Sequence, residues 1–508
     1  MPRRVSLFFF FFTMAKYDVI VIGAGLGGLE CAYMLAKHGK SVLVLEQGAL
    51  LGGCLQSFRR NGLLLDTGFH YVGGLDEGQM LHRLFGYFNL LDLPWRKMDS
   101  EFFDEVVIQG DSYAFANGYD NFARVMSDRF PHQKDNIAAY VNLLRQVGDN
   151  ISHSFDPRSA ADVYQQSLFA RSAFDFLHET ISDPRLIDVL SGTSLKMELS
   201  RNLPLYIFAQ INSSFIQSAY RLQGGGMQIA ESLRTSIESM GGTVLRNSRV
   251  TAFEGQEGRA SAVIVNGDRR FEADVFISDA HPAPTVNLLQ QAGLVRKIYH
   301  KRISGLANTF GVITVNIALK PQALRYLNRN VYIYSQPDVW SLHSDLTHGV
   351  RSLLVSFTPP PDGDIFARNV DLITPLNWDD VSHWFGTKVG HRGDDYLDFK
   401  QKVAQHCISL AESRFPGLSD AIDAFWVSSP LTYSDYTATA CGSAYGIRKD
   451  FANPMLTILT PKTPVANVFL TGQNLNLHGI LGTSMTAMFT CAELIGMPAV
   501  VDDLSHFS

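Results

Sequence analysis

Residues 18–46, DVIVIGAGLGGLECAYMLAKHGKSVLVLE, restrict the fold of this chain more than any other stretch. The run Val19 to Ile22 is short, β-branched and apolar, as a parallel strand buried on both faces has to be. Gly23, Gly25 and Gly28 follow at the G-x-G-x-x-G spacing. The first permits a tight turn, the second lets backbone N–H groups approach a pyrophosphate, and the third lets the next helix pack close to the strand. Leu29, Ala32, Tyr33 and Ala36 share one helical face, and Gly39 after His38 stops the helix. A second apolar strand, Val42 to Leu45, ends in Glu46, whose carboxylate can accept from both ribose hydroxyls and disfavours a 2′-phosphate. The anion would rest on amides at the helix N-terminus, where the dipole is positive. A lone glycine motif is weak. Strand, glycines, helix, strand and acid in one register predict a dinucleotide site in preference to a structural turn.

A chain of 508 residues is too long for one compact core, so two or more interwoven domains are expected. Hydrophobic residues at 46% and charged residues at 18% describe a folded protein. The net charge of −6, without a long basic run, argues against nucleic acid as a partner. The five cysteines, Cys31, Cys54, Cys407, Cys441 and Cys491, are odd in number and none shows C-x-x-C spacing. That pattern suits a reducing compartment, with no disulfide framework and no metal site. The opening MPRRVSLFFFFFTM resembles a truncated signal peptide, with an apolar core too short for one. Met14, just before AKYDVIVIGAG, reads as the true start, and residues 1–13 as an upstream extension. No stretch offers about twenty consecutive apolar residues, so no transmembrane helix is expected.

After Glu46 comes QGALLGGCLQSFRRNGLLLDTGFHYVGG. Gly52, Gly53 and Ser57 form a second glycine turn, Leu63 to Leu65 read as a strand, and Asp66-Thr67-Gly68-Phe69-His70-Tyr71 follow. This order resembles the amine oxidase/phytoene desaturase superfamily of FAD-dependent oxidoreductases, in which a GGxxxS turn follows the ribose-binding Glu and a D-x-G strand leads to the flavin. The resemblance implies FAD as the cofactor. LQGGGMQIAESLRTSIESMGGTVLRNSRVTAF restores the cofactor fold: Gly224, Gly225, Gly226 and Met227 open a helix, Gly241 and Gly242 end it, and Thr243–Leu245 and Arg249–Ala252 read as strands. An Asn-Gly-Asp hairpin turn at 266–268 precedes a strand that ends at Ser278-Asp279-Ala280, similar to the family's S-N/D-A strand end. Near the end, Val468 to Leu470 form a strand, Thr471-Gly472-Gln473-Asn474 its turn, and Gly479 and Gly482 open a small-residue helix.

The reading is an α/β protein: a Rossmann-like FAD-binding domain with an interwoven α+β substrate domain. Residues 14–80, 216–292 and 431–508 are the three parts of the FAD-binding domain. Residues 81–215, mostly helical, and 293–430 are the two parts of the substrate domain. In the second, GVITVNIAL, VYIYS and SLLVSF read as strands, and DDYLDFKQKVAQHCISLAESRF as an amphipathic helix. The resemblance implies FAD contacts at Gly23, Gly25, Leu26, Gly27, Gly28, Glu46, Gln47, Gly53, Cys54, Ser57, Val250, Gly472, Gln473, Asn474, Gly482 and Thr483, with the backbone of Val250 meeting the adenine. His300, His343, His348, His383, His391 and His406 are scattered, without companions at ligand spacing, and read as structural or surface residues.

Within the superfamily the motifs D-T-G-x-H-Y, S-P-L-T and L-T-G-Q-N resemble the branch of retinol saturases and carotenoid isomerases. That branch's saturases carry Asp where this chain has Asn474, so no carboxylate is available there. The implied chemistry is hydride exchange between a substrate carbon and flavin N5, with a nearby group handling the proton. The resemblance places His70 and Tyr71 near the flavin and His478 on the closing loop. Each can exchange a proton, or simply hydrogen-bond backbone or cofactor. The first expectation is a saturase or desaturase of an apolar polyene, a retinoid- or carotenoid-like lipid, with an electron donor or acceptor the sequence does not identify. A redox-neutral cis/trans isomerase using reduced FAD, a flavin amine oxidase and a flavoprotein scaffold without chemistry are the alternatives. The expected location is cytoplasmic, and a lipid substrate implies peripheral contact with a membrane.

Overall fold

The computed structural model describes residues 16–155, 161–341 and 349–507. The N-terminal extension with Met14, and His343 and His348, lie outside the described residues.

Four short strands, Thr243–Leu245, Val42–Leu45, Tyr17–Ile22 and Arg269–Ser278, lie parallel in that order. Their β-branched and Leu side chains are mostly buried, as covered parallel strands require. The strand Arg269–Ser278 is ten residues long and, on the edge away from Tyr17–Ile22, serves two further partners in succession. Its first half pairs antiparallel with Arg259–Val265 through a hairpin whose turn residues Asn266 and Gly267 have φ of 54° and 89°. These are the positive values a primed turn needs. Its second half pairs parallel with Val468–Leu470 from the far end of the chain. The carboxyl ends of the parallel strands therefore present Gly23, Glu46, Asp279 and Gly472 on one edge. Strand order reverses about Tyr17–Ile22, and such a switch point leaves a crevice for a ligand.

The helix Leu26–Lys37 is buried from Leu26 to Ala36 and packs against the helices Gly479–Ile495 and Met227–Ser239. Close approach is possible because Gly28 has no side chain: a Cβ there would stand 2.3 Å from the Gly23 carbonyl oxygen. Gly28→Ala is expected to lower stability by about 2 kcal/mol through overpacking and to prevent flavin loading. Thermal melting together with visible flavin absorbance checks it. A variant that melts with the parent and stays yellow removes this account of Gly28.

A second seven-stranded sheet runs Ile422–Ser428, Gly311–Leu319, Asn369–Leu376, Ser352–Phe357, Asn330–Tyr334, Asp104–Ile108, Asp111–Phe115. Alternate residues enter two different cores. Ile313, Val315, Val331, Ile333, Val355 and Leu372 meet Val403, Ala404 and Cys407 of the helix Asp394–Glu412. Tyr332, Leu354 and Ile373 point the other way, into the core that runs under the helical segment. The helical segment also donates strands that were not read in the sequence. Asp104–Ile108 and Asp111–Phe115 form a hairpin about Gln109-Gly110, and Asp104–Ile108 pairs parallel with Asn330–Tyr334. The strands Asn369–Leu376 and Ile422–Ser428 were likewise not legible, since Pro375 and the mixed polarity of IDAFWVS mask the alternation.

Among the described residues no helix is long and apolar enough to cross a membrane, and no three His, Cys, Asp or Glu side chains group as metal ligands would. His383, His391 and His406 are exposed and His300 is half-buried.

Candidate active site

One cavity of about 660 Å³ is bordered both by the glycine turns and by the inner face of the second sheet. On the cofactor side its wall includes Gly23, Gly25, Leu26, Gly27, Glu46 and Gln47, and the loop residues Gly53 and Cys54. Val250, Gln473, Asn474, Gly482 and Thr483 complete that side. Gly28, Ser57 and Gly472 stand behind the wall. Ser57 Oγ donates to Asp66 Oδ1 at 2.6 Å, and the Met227 amide donates to Ser57 Oγ, so this hydroxyl ties the D-x-G strand to the glycine-Met helix. Burial lifts the Asp66 carboxyl to about 6.

Glu46 is held by two amides: Ala24 N–H donates to Oε2 at 2.9 Å and Gly48 N–H to Oε1 at 2.6 Å. A carboxylate has about four acceptor positions, so capacity remains for a diol. Beside it, a bulge between Val250 and Ala252 interrupts the ladder with Arg259–Val265, freeing backbone groups next to the cavity. The donor set and the space fit a flavin dinucleotide. The N-terminus of the helix Leu26–Lys37 borders the cavity through Leu26 and Gly27, and a Cβ on Gly27 would sit 3.0 Å from Gly472.

His70, Tyr71 and His478 all line the same cavity. Burial, with the nearby Arg221 cation, lowers His70 to about 4, and burial lowers His478 to about 4. Both imidazoles are therefore neutral near pH 7. His70 Nδ1 is 3.9 Å from Asp371 Oδ2; burial raises that carboxyl to about 7. A neutral His478 with its proton on Nε2 donates to the Lys196 carbonyl at 3.0 Å.

Tyr71 belongs to a buried chain of polar groups that sequence reasoning missed apart from Tyr71 itself. Its hydroxyl donates to Asp104 Oδ2 at 2.9 Å and lies 2.6 Å from the Tyr332 hydroxyl. Lys196 Nζ stands 3.0 Å from the same Asp104 oxygen, and Asn330 Nδ2 donates to the other at 3.1 Å. Asp104 is fully buried, and Lys196, Tyr71 and Tyr332 reach the cavity wall. Burial raises the Asp104 carboxyl against the pull of Lys196, and lowers the Lys196 ammonium against the pull of Asp104. Burial also pushes both phenols well above their usual range. A lone Lys in TSLKMELS and a lone Asp in FFDEVV carry no local signal of one another. Asn474 is pinned: its side-chain oxygen accepts from the Ile447 amide, and its carbonyl accepts from the buried Lys449 Nζ at 2.7 Å. Burial lowers Lys449 to about 7.

Comparison with known proteins agrees with this geometry. Residues 21–88 match the model of the NAD(P)-binding Rossmann-like domain. The all-trans-retinol 13,14-reductase of Macaca fascicularis is 27% identical, over 94% of this chain and 86% of that protein. A chloroplastic prolycopene isomerase of an Oncidium hybrid cultivar is 25% identical, over 85% of this chain and 75% of its own length. Among solved structures, putrescine oxidase superposes with a TM-score of 0.60 at 17% identity, covering 95% of this chain and 99% of that one. The last shows a shared fold alone.

Proposed function

We propose that the chain is a member of the amine oxidase/phytoene desaturase superfamily of FAD-dependent oxidoreductases, binds FAD in the cavity and saturates a carbon–carbon double bond of a retinoid- or carotenoid-like polyene, a reading supported by its similarity to retinol 13,14-reductases and prolycopene isomerases. The observation that carries this reading is the continuity of the dinucleotide cradle with a cavity wall that holds a proton chain among apolar side chains. Phe69, Val72, Leu195, Ile211, Phe215 and Leu354 supply the apolar part, which suits a hydrocarbon and excludes water. Bound there and reduced, FAD supplies a hydride to one carbon of the double bond.

The residues handle the proton for the neighbouring carbon. Tyr71 and Tyr332 keep their protons at working pH, since burial holds both phenols high. A proton passed from either to carbon is replaced through Asp104 from Lys196, which regains one from water at the cavity wall. Each link of that chain is between 2.6 and 3.0 Å. His70 and His478 are neutral near pH 7, and His478 orients the Lys196 segment by its hydrogen bond to the Lys196 carbonyl. A protonated amine is disfavoured, because the charged side chain on the apolar side of the wall is the cation Lys196. An isomerase has no use for a replenished proton source, so the chain favours net saturation.

The test is an anaerobic assay of the FAD-loaded, chemically reduced protein against retinoids and carotenoids, with products resolved by mass and retention time. A gain of two hydrogens with flavin reoxidation is expected. Unchanged mass at altered retention selects the isomerase, and reoxidation by none of the panel rejects polyenes as substrates.

Contact with a membrane is the accompanying proposal. Phe385 and Tyr436 are 65% and 59% exposed, and Tyr436 borders the cavity. Arg392 joins the two: it pairs with Asp435 and donates to the carbonyls of Trp384 and Thr387. Such an apolar rim would seat in the interfacial layer of a bilayer. The protein is expected to float with phosphatidylcholine vesicles, and the double substitution Phe385→Ser, Tyr436→Ser to leave it at the bottom of the gradient. Sedimentation of the unaltered protein away from the vesicles ends the idea.

A further inference from the structure

Asp279 follows the strand Arg269–Ser278 and sets its side chain against the first glycine turn. Its carboxyl lies against the backbone of Gly25 and Gly28. A Cβ on Gly25 would lie 2.3 Å from Oδ2, and a Cβ on Gly472 would lie 2.3 Å from Oδ1. One carboxyl therefore fills the gap between two turns drawn from opposite ends of the chain, and it borders the cavity as well. The turn it abuts opens the helix N-terminus that suits the phosphates of a dinucleotide.

Among the described residues, the titratable groups facing Asp279 include no cation. From the end of Val42–Leu45 comes the Glu46 carboxylate; from the helix Leu26–Lys37 come Glu30 and Cys31; from the second glycine turn comes Cys54. Burial raises Glu30, Cys31 and Cys54, which keeps those three neutral near pH 7. His281, two residues on, is lowered by burial and bonded to Asn308. Burial, then repulsion from Glu46, holds Asp279 up to about 7.

We propose that Asp279 is a residue of the cofactor site that works in its protonated form, so that loading of the dinucleotide takes up one proton. The inference rests on the flavin-dinucleotide reading of the cavity. As a carboxylate on the cavity wall beside the glycine turn, Asp279 repels the two phosphate charges. As a neutral acid it loses that repulsion and has an O–H to give. Binding of the dianion and loss of this proton therefore oppose each other, and linkage makes affinity fall with rising pH once free Asp279 ionises.

The experiment uses the purified flavoprotein in equilibrium dialysis at pH 6 and pH 9, with released FAD read by fluorescence. The expected Kd is about 100-fold weaker at pH 9, following the limit of tenfold per pH unit above the free acid's pKa. Asp279→Asn, which mimics the neutral acid, is expected to hold FAD with less than a threefold change across the same range. A wild-type Kd that moves less than threefold overturns the proposal, as does an Asp279→Asn protein that retains the full pH dependence. Calorimetric titration of FAD into stripped wild-type protein at pH 8, in buffers of different ionisation heat, needs no variant. Uptake near one proton is expected, and none overturns the assignment. If FAD fails to bind at pH 6 as well, the dinucleotide reading has failed and takes the proposal with it.

Discussion

Tyr71→Phe is expected to slow reoxidation of the reduced, FAD-loaded protein by its polyene substrate by about 10²–10⁴-fold, the range for loss of a positioned acid. Flavin loading and fold are expected to persist. The substitution removes one hydroxyl and leaves the ring packed against Phe215. Asp104 keeps Lys196 and Asn330 as donors, so no buried charge is stranded and the stability cost is about 1 kcal/mol. What disappears is the bridge between Asp104 and Tyr332. Anaerobic stopped-flow mixing with the active polyene, in H₂O and D₂O, measures it. A wild-type solvent isotope effect that vanishes in a much slower variant supports proton delivery through Tyr71. A variant within threefold of wild type would falsify it.

Lys196→Met has the opposite character: its expected effect is on stability first. Asp104 has no solvent exposure, and Lys196 is its ion-pair partner. Removing one member of a buried pair costs about 3–5 kcal/mol, because the other charge remains buried and uncompensated. Replacing both members with neutral groups is often harmless, so Lys196→Met with Asp104→Asn is expected to recover most of the loss. The deficit of the single variant also depends on pH. Burial raises the folded-state pKa of Asp104 even with Lys196 present, and without the ammonium it rises further. An acid raised in the folded state contributes stability that is present below its unfolded pKa and lost as pH rises through the folded one. The single variant should therefore lie closest to wild type near pH 4 and fall away toward pH 8. Denaturant unfolding of the three proteins at both pH values checks this. Equal stability of single and double variants would show that the pair is not coupled.

Local pattern accounts for much of the fold that bears on the cofactor. Val19 to Ile22, the glycines after them, the helix to Lys37 and Glu46 at the next strand end all lie within one stretch, where spacing alone dictates strand, turn and helix. The hairpin at Asn266-Gly267 was legible for the same reason. The hairpin at Gln109-Gly110 had a comparable signal and was obscured by the helical periods around it.

Ser57 and Gly28 show where motif and contact part. Both fit a cofactor pattern in sequence, and in the structure both stand behind the wall, one bonded to Asp66 and the other packed on Gly23. A spacing rule gives the backbone path but does not tell which side of the turn faces a ligand.

The amino-acid sequence by itself determined a Rossmann-like α/β unit, its glycine turns and the acid at the end of its second strand, because those depend on interactions between near neighbours. Only the tertiary structure decided what chemistry adjoins those turns. Tyr71 meets Asp104 across 33 residues and Tyr332 across 261, and Lys196 reaches them from a helical turn with no pattern of its own. A side chain's charge state and partners are set by burial and by which strands pair. Those follow from how the whole chain closes its cores.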